Sequence, residues 1–259
     1  MCRMAAYTGS PMPLYDFLCA PPHSLIEQAH APKEAVSATV NADGIGIGWY
    51  ADDGAPALYR SPLPAWADAN LDGLSRSLTR SVWMANVRSA TDPLSNGTAN
   101  TQPFTDSHRL FLHNGFIADF ARSIRTRFRA ELGAAYEASI AGTTDSEYLF
   151  ALIRQYADND GDTLAGLSKA IHRLHDWLDA TQSGAMCNII VAEGSRLIVL
   201  CHAYRETPPS LYVHPAHPGF GNGALAASEP LDGDRDWQPV SPDHIVTLEP
   251  GGYVRTATL

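Results

Sequence analysis

The feature that most constrains the fold is the order in which periodic patterns follow one another along the chain. From Met186 onward the sequence breaks into short strand-like runs at residues 187–192, 196–202, 210–213, 224–228, 245–248 and 252–256, separated by turns rich in proline and glycine. Before them come helical patterns. Residues 119–132 carry Phe120, Ile124 and Phe128 at i, i+4 and i+8, with Arg122, Arg125, Arg127 and Arg129 making a basic face. A further helical pattern covers residues 164–178. The first third is strand-like again. Strands, then helices, then strands describe an α+β domain whose helices cover sheets.

In that first third, residues 2–8 are mostly apolar and read as the start of a buried strand. Pro11, Pro13, Pro21, Pro22 and Pro32 then permit only short helices, at 14–18 and at 24–29 with Ser24 as N-cap. Asn41-Ala42-Asp43-Gly44 reads as a turn entering a strand at 45–50, with 57–60 pairing back as a hairpin. Its glycines alternate with Ile45 and Ile47, leaving one face bare for another backbone to approach. The spacing is GxGxG with no helical pattern after it, which speaks against a dinucleotide site. A short helix is expected at 71–78, and a buried strand at 81–87 ends on Arg88. No linker divides the chain, so residues 2–259 are expected to form one domain.

The chain's 259 residues are 45% hydrophobic, enough for a sizeable core, and the formal net charge of −10 argues against nucleic acid or an anionic membrane as partner. There is no 18-residue apolar run and no secretory signal pattern. Cys2, Cys19, Cys187 and Cys201 are scattered, forming neither a disulfide framework nor a CxxC metal pattern. A reduced, cytoplasmic protein is expected.

Several residues carry chemistry. Cys2 becomes the N-terminus if Met1 is trimmed, and its thiol then shares a residue with a free α-amine. A free α-amine ordinarily titrates at about 7.7–8.0 and a thiol at about 8.5, so the amine can take the thiol proton. The bland alternative is an incidental cysteine. Arg88 at a strand end is either a solvated rim charge or a bidentate partner for a carboxylate. The strand at 109–113 runs into Asn114-Gly115, which is ordinarily a turn. The functional reading is a pair of donors, the Asn114 amide and the Gly115 N–H, aimed at one oxyanion. Either Thr144 or Asp145 caps the helix that follows, or Asp145 receives an ammonium group.

Cys2-Arg3, NADGIGIGWY (41–50), ANVRSAT (85–91), FLHNGFI (111–117), TDSEYLFALI (144–153) and ASEPL (227–231) follow in one order. That order resembles the class II glutamine amidotransferase family of N-terminal nucleophile hydrolases over nearly the whole chain. The opening proline-rich stretch and NADGIGIGWY are similar in particular to the ergothioneine-pathway γ-glutamyl hydrolases. The resemblance implies a four-layer αββα sandwich and a domain spanning 2–259 with Met1 removed. It implies Cys2 as nucleophile with its own amine as base, and Asn114 and Gly115 as the oxyanion hole. Arg88 would take the substrate α-carboxylate and Asp145 its α-ammonium, with Thr91 as a further substrate contact. The implied reaction removes glutamate from γ-glutamyl-hercynylcysteine sulfoxide through a glutamyl thioester, with no cofactor. Ser89 and Asp92 depart from the tryptophan and histidine common in glutamine-using members, which weakens ordinary glutamine hydrolysis.

The alternatives differ in class. A glutaminase subunit would need a separate synthase partner, because this chain has no room for a synthase domain. Glutathione or another γ-glutamyl peptide would serve equally as a small-molecule substrate, and a homo-oligomer is compatible with the sequence. A metal-dependent hydrolase would draw on His172, His175, His214 and His217, but the spacing lacks a closed ligand set and no metal is expected. A γ-glutamyl-binding protein without catalysis would have no need of a thiol at Cys2.

Overall fold

The computed structural model describes residues 2–35, 40–90 and 97–259. Strands β1 (Arg3–Pro13), β2 (Ile45–Tyr50), β3 (Pro56–Ser61), β4 (Thr79–Val87), β10 (Tyr212–His217), β11 (Gly223–Ala227) and β12 (Gln238–Pro239) make one sheet, in the order β12-β10-β11-β1-β4-β2-β3. A second sheet takes β5 (Phe104–Thr105), β6 (Arg109–Ile117), β7 (Ala185–Glu193), β8 (Arg196–Cys201), β13 (His244–Glu249) and β14 (Tyr253–Thr258), in the order β14-β13-β8-β7-β6-β5. A short strand β9 (Ala203–Tyr204) pairs with β7. All pairings are antiparallel.

The central strands are buried on both faces, and their alternation sorts residues into layers. Met4 and Ala6 of β1, with Val82 and Met84 of β4, pack on Leu110, Leu112, Ile190 and Ala192 of the second sheet. Ala5 and Tyr7, with Trp83 and Ala85, face the other way, onto helices α1 (Leu14–Leu18), α2 (Leu25–His30) and α3 (Asn70–Ser77). The outer face of the second sheet, with Phe111, Ile189 and Val191, is covered by α4 (Arg125–Glu131), α6 (Asp145–Asp160) and α7 (Thr163–Thr181). The short α5 (Ala134–Ala138) packs on α6. Three apolar seams thus join four layers, αββα. None of the described helices is long and apolar enough to cross a membrane.

Ser24 caps α2 by accepting the Glu27 N–H at 3.2 Å, and Thr144 caps α6 by accepting that of Glu147 at 3.4 Å. The bare face of β2 is occupied as its glycines require: a Cβ on Gly46 would lie 1.7 Å from the Gln102 carbonyl oxygen. Two local expectations are corrected. Asn114-Gly115 is no turn, because β6 continues to Ile117. Glycine stands there for closeness, since a Cβ would lie 1.8 Å from the Met186 carbonyl oxygen on β7. The helix expected at 119–132 runs without a break from Phe120 to Glu131, but its first turn is not α-helical. Asp119 takes a left-handed φ of 53°, Phe120–Ile124 form a π-helical turn, and α4 follows. Phe120 turns in to pack edge-on against Phe128 and Tyr148.

Candidate active site

Cys2 immediately precedes β1 and is half-buried. Its carbonyl accepts the Arg3 Nε–H at 2.7 Å. Arg3 is 0% exposed and forms an ion pair, Nη1 to Glu229 Oε1, at 3.0 Å. Glu229, 1% exposed, also meets His23 Nε2 at 2.7 Å and accepts the backbone N–H groups of Lys33 at 2.9 Å and Glu34 at 3.0 Å. Burial works to raise the Glu229 carboxyl. The hydrogen bonds from His23, Lys33 and Glu34 and the charge of Arg3 outweigh it and hold the group below the ordinary glutamate value. Next to it, Ser228 accepts the Met4 N–H on its Oγ at 3.1 Å, so the start of β1 is fastened from two sides.

The thiol of Cys2 meets main chain. Its Sγ accepts the Ser89 N–H at 3.4 Å and lies 3.7 Å from the Ser89 carbonyl oxygen, to which the S–H can donate. Ser89 follows Arg88, which is 6% exposed just beyond the end of β4. Burial pushes the other thiols up: those of Cys19 and Cys187 rise, and that of Cys201 is raised to about 11.

Cys2, Arg88, Ser89, Gly115 and Asp145 line one cavity of about 380 Å³, whose wall continues along residues 116–121. Asp145 is the first residue of α6; its Oδ2 accepts the Ile117 N–H at 2.7 Å and its Oδ1 that of Ser146 at 2.7 Å. A carboxylate has about four acceptor positions; Oδ1 also lies 3.2 Å from the Ser146 hydroxyl, and Oδ2 can accept again from the cavity. His113 also lines it, but its ring is committed. Nε2 is 3.0 Å from the Met186 carbonyl, which can only accept, so Nδ1 receives the Ser146 hydroxyl at 2.8 Å.

Asn114 is placed differently. It is 0% exposed and alternates with Leu110 and Leu112, on the face of β6 turned toward the first sheet. Neither its Nδ2 nor its Oδ1 has a partner among the described residues. Buried amides are normally satisfied, and one left open costs about 1–3 kcal/mol. Thr91 and Asp92 lie outside the described residues, as does Met1.

Among the described residues, the group able to surround a metal ion is His214, His217 and Asp234, with ligand atoms within 4.8 Å of one another. The hydrogen bonds argue against that use. His217 Nδ1 accepts the Gly219 N–H at 3.1 Å, so Nε2 carries the ring proton and donates it to Asp232 at 3.2 Å. On α7, His175 Nε2 lies 2.8 Å from His202 Nε2, and His202 Nδ1 lies 2.6 Å from Asp243. His172 Nδ1 donates to the Ser168 carbonyl of its own helix at 2.8 Å.

Sequence reasoning misses the contacts made by Ser89 and Glu229: Glu229 stands inside a recognisable motif, but nothing local links it to Arg3.

Comparison with known proteins adds to this geometry. The chain matches the family described as Glutamine amidotransferases class-II over residues 27–222. It is 32% identical over 257 residues to the gamma-glutamyl-hercynylcysteine sulfoxide hydrolase of Mycolicibacterium smegmatis, covering 99% of each chain. To the protein of that name from Mycobacterium tuberculosis (strain H37Rv) it is 31% identical over 258 residues, covering 99% of this chain and 97% of the other. A glutamine aminotransferase class-II domain protein from Silicibacter pomeroyi superposes with a TM-score of 0.73 at 24% identity, covering 99% of both chains. At that identity the likeness is one of fold.

Proposed function

The chain belongs to the class-II glutamine amidotransferase family, and from that premise we propose that it is a γ-glutamyl amidohydrolase acting through the Cys2 thiolate. Its substrate in this reading is γ-glutamyl-hercynylcysteine sulfoxide, the compound for which the two mycobacterial relatives are named. Removal of Met1 frees the α-amine of Cys2, and the single domain of residues 2–259 acts alone, as a soluble cytoplasmic enzyme.

The steps follow from the residues. The α-amine takes the thiol proton, and the thiolate attacks the γ-carbonyl carbon. Arg88 receives the α-carboxylate and Asp145 the α-ammonium of the glutamyl group, which fixes the carbonyl over the sulfur. The oxyanion of the tetrahedral intermediate is held by the Asn114 amide and the Gly115 N–H. Collapse breaks the C–N bond, and the ammonium returns its proton to the departing amine. Water then attacks the thioester, releasing glutamate and the free thiol. Thr91 contributes a further contact to the glutamyl end. All steps use protein groups and water.

One observation carries the reading: Asn114 is buried with an unpartnered amide, next in sequence to a glycine that lines the cavity containing Cys2. A donor left open at rest costs stability and gains a partner only when negative charge develops on the substrate. Asn114→Ala is therefore expected to lower kcat about 10²–10³-fold with KM little changed. A change in KM alone would contradict the role.

The test of the function is intact mass together with glutamate release from glutamine, glutathione and γ-glutamyl-hercynylcysteine sulfoxide. Loss of Met1 with strong preference for the sulfoxide is the expected result. Preference for glutamine would make the chain a glutaminase with a synthase partner. Retained Met1 with no glutamate release would remove the mechanism.

A further inference from the structure

The ladders that hold the first sheet stop one residue short of the site. Val87 is the last residue of β4 to be paired, opposite Arg3 on β1 and Ile45 on β2. Arg88, Ser89 and Ala90 run on beyond both neighbours, yet Arg88 and Ser89 both bear on the reaction. What holds this extension is the turn before β2. Arg88 donates its N–H to the Gly44 carbonyl at 2.8 Å and its carbonyl accepts the Asp43 N–H at 2.9 Å. Then the backbone of the turn runs out, and the Asp43 side chain takes over. Its Oδ2 accepts the Ala90 N–H at 2.7 Å. A carboxylate thus stands in for the next carbonyl of a strand that has ended.

The alternation of an extended chain gives this its consequence. Successive residues present their N–H and C=O groups to opposite sides. With residues 88 and 90 bonded toward the Asp43 turn, Ser89 must face the opposite side, where β1 begins. There its N–H meets Cys2 Sγ at 3.4 Å and its carbonyl lies 3.7 Å from the same sulfur. The N–H suits the thiolate and the carbonyl suits the thiol, so one main-chain unit serves both protonation states. The turn itself is built to stay put. Gly44 sits at φ +131°, and a Cβ there would lie 2.8 Å from the Ser61 carbonyl oxygen.

We propose that Asp43 is a positioning residue: it fixes the main chain of residues 88–90 so that the Ser89 N–H faces the Cys2 sulfur while the Arg88 side chain is held at the cavity. This rests on the reading of Cys2 as the nucleophile. The sulfur is met by backbone, so the contact does not depend on the side chain at position 89.

The test uses the full-length protein and three variants. It reads the rate at which iodoacetamide alkylates Cys2, located by peptide mass, and kcat and KM for glutamate release. Asp43→Ala is expected to slow alkylation roughly five- to tenfold at neutral pH. It should also lower kcat/KM about 10–100-fold, through a fall in kcat and a rise in KM together. Asp43→Asn keeps an oxygen that can accept the Ala90 N–H, and should stay within about threefold of wild type. Asp43→Glu keeps the charge but displaces it by one methylene, and should fall with Asp43→Ala.

Wild-type alkylation and kinetics in Asp43→Ala would overturn the proposal. So would Asp43→Glu outperforming Asp43→Asn, a comparison that stands even if the alanine variant does not fold. Alkylation needs no substrate. Glutamate release surviving in a Cys2→Ala control would therefore sink the nucleophile reading by itself, while the alkylation rates still judge Asp43.

Discussion

Cys2→Ala is expected to abolish glutamate release, by a factor on the order of 10⁴ or more, while the folded protein stays about as stable as wild type. The activity loss should be large because the variant keeps the α-amine but has no sulfur to form the thioester, and no other thiol can substitute. Cys187 and Cys201 are buried between strands with their thiols pushed up, and Cys19 lies beside α1 away from the cavity. The stability change is small because the side chain is half-buried and its contacts are the two main-chain groups of Ser89. Glutamate release and thermal melting check the two halves separately. Binding of the intact substrate, measured by calorimetry, should survive, because Arg88 and Asp145 are untouched. A variant that still released glutamate at an appreciable rate would end the mechanism.

Glu229→Ala is the substitution with the largest expected effect on stability, about 3–5 kcal/mol. It leaves Arg3 Nη1 and the His23 ring buried without their carboxylate, and takes the acceptor from two partly buried backbone N–H groups. The sign of the pH dependence follows from the direction of the shift. The carboxyl is held below its ordinary value of 4.5 in the folded chain, so its stabilisation is fully present above that value. It is lost as the pH falls through the lower, folded value. Urea melts should find the variant well below wild type at pH 7, with the gap closing in acid. A gap independent of pH would mean that packing, not charge, is what Glu229 provides. Activity should fall as well, because Arg3 would no longer be held against the Cys2 carbonyl.

Much of this was legible in the chain itself. Alternation and turn residues located the β2–β3 hairpin, the strands after Met186 and the caps at Ser24 and Thr144, because each is decided within a few neighbours. Local preference misleads where tertiary closeness overrides it. Asn114-Gly115 carries a turn signature, yet the glycine serves the approach of β7. The spacing of Phe120, Ile124 and Phe128 reads as one helix, yet the chain takes a π-helical turn that folds Phe120 onto Tyr148. The supports of the site were harder still. Arg3 and Glu229 are 226 positions apart, Cys2 and Ser89 are 87 apart, and no periodicity relates them.

That separation also sets a timetable. β1 is made first, but one of its flanking partners, β11, pairs Ala5 with Ala227, and Glu229 lies just beyond it. During synthesis the opening strand must therefore wait, open along one edge, until nearly nine-tenths of the 259 residues exist. A chain interrupted before Glu229 would carry Cys2, Arg88 and Asp145 and still lack the carboxylate that holds Arg3 against the Cys2 carbonyl. The support of Arg3 is thus supplied from 226 positions downstream, and it arrives only after every other group named at the site has been made.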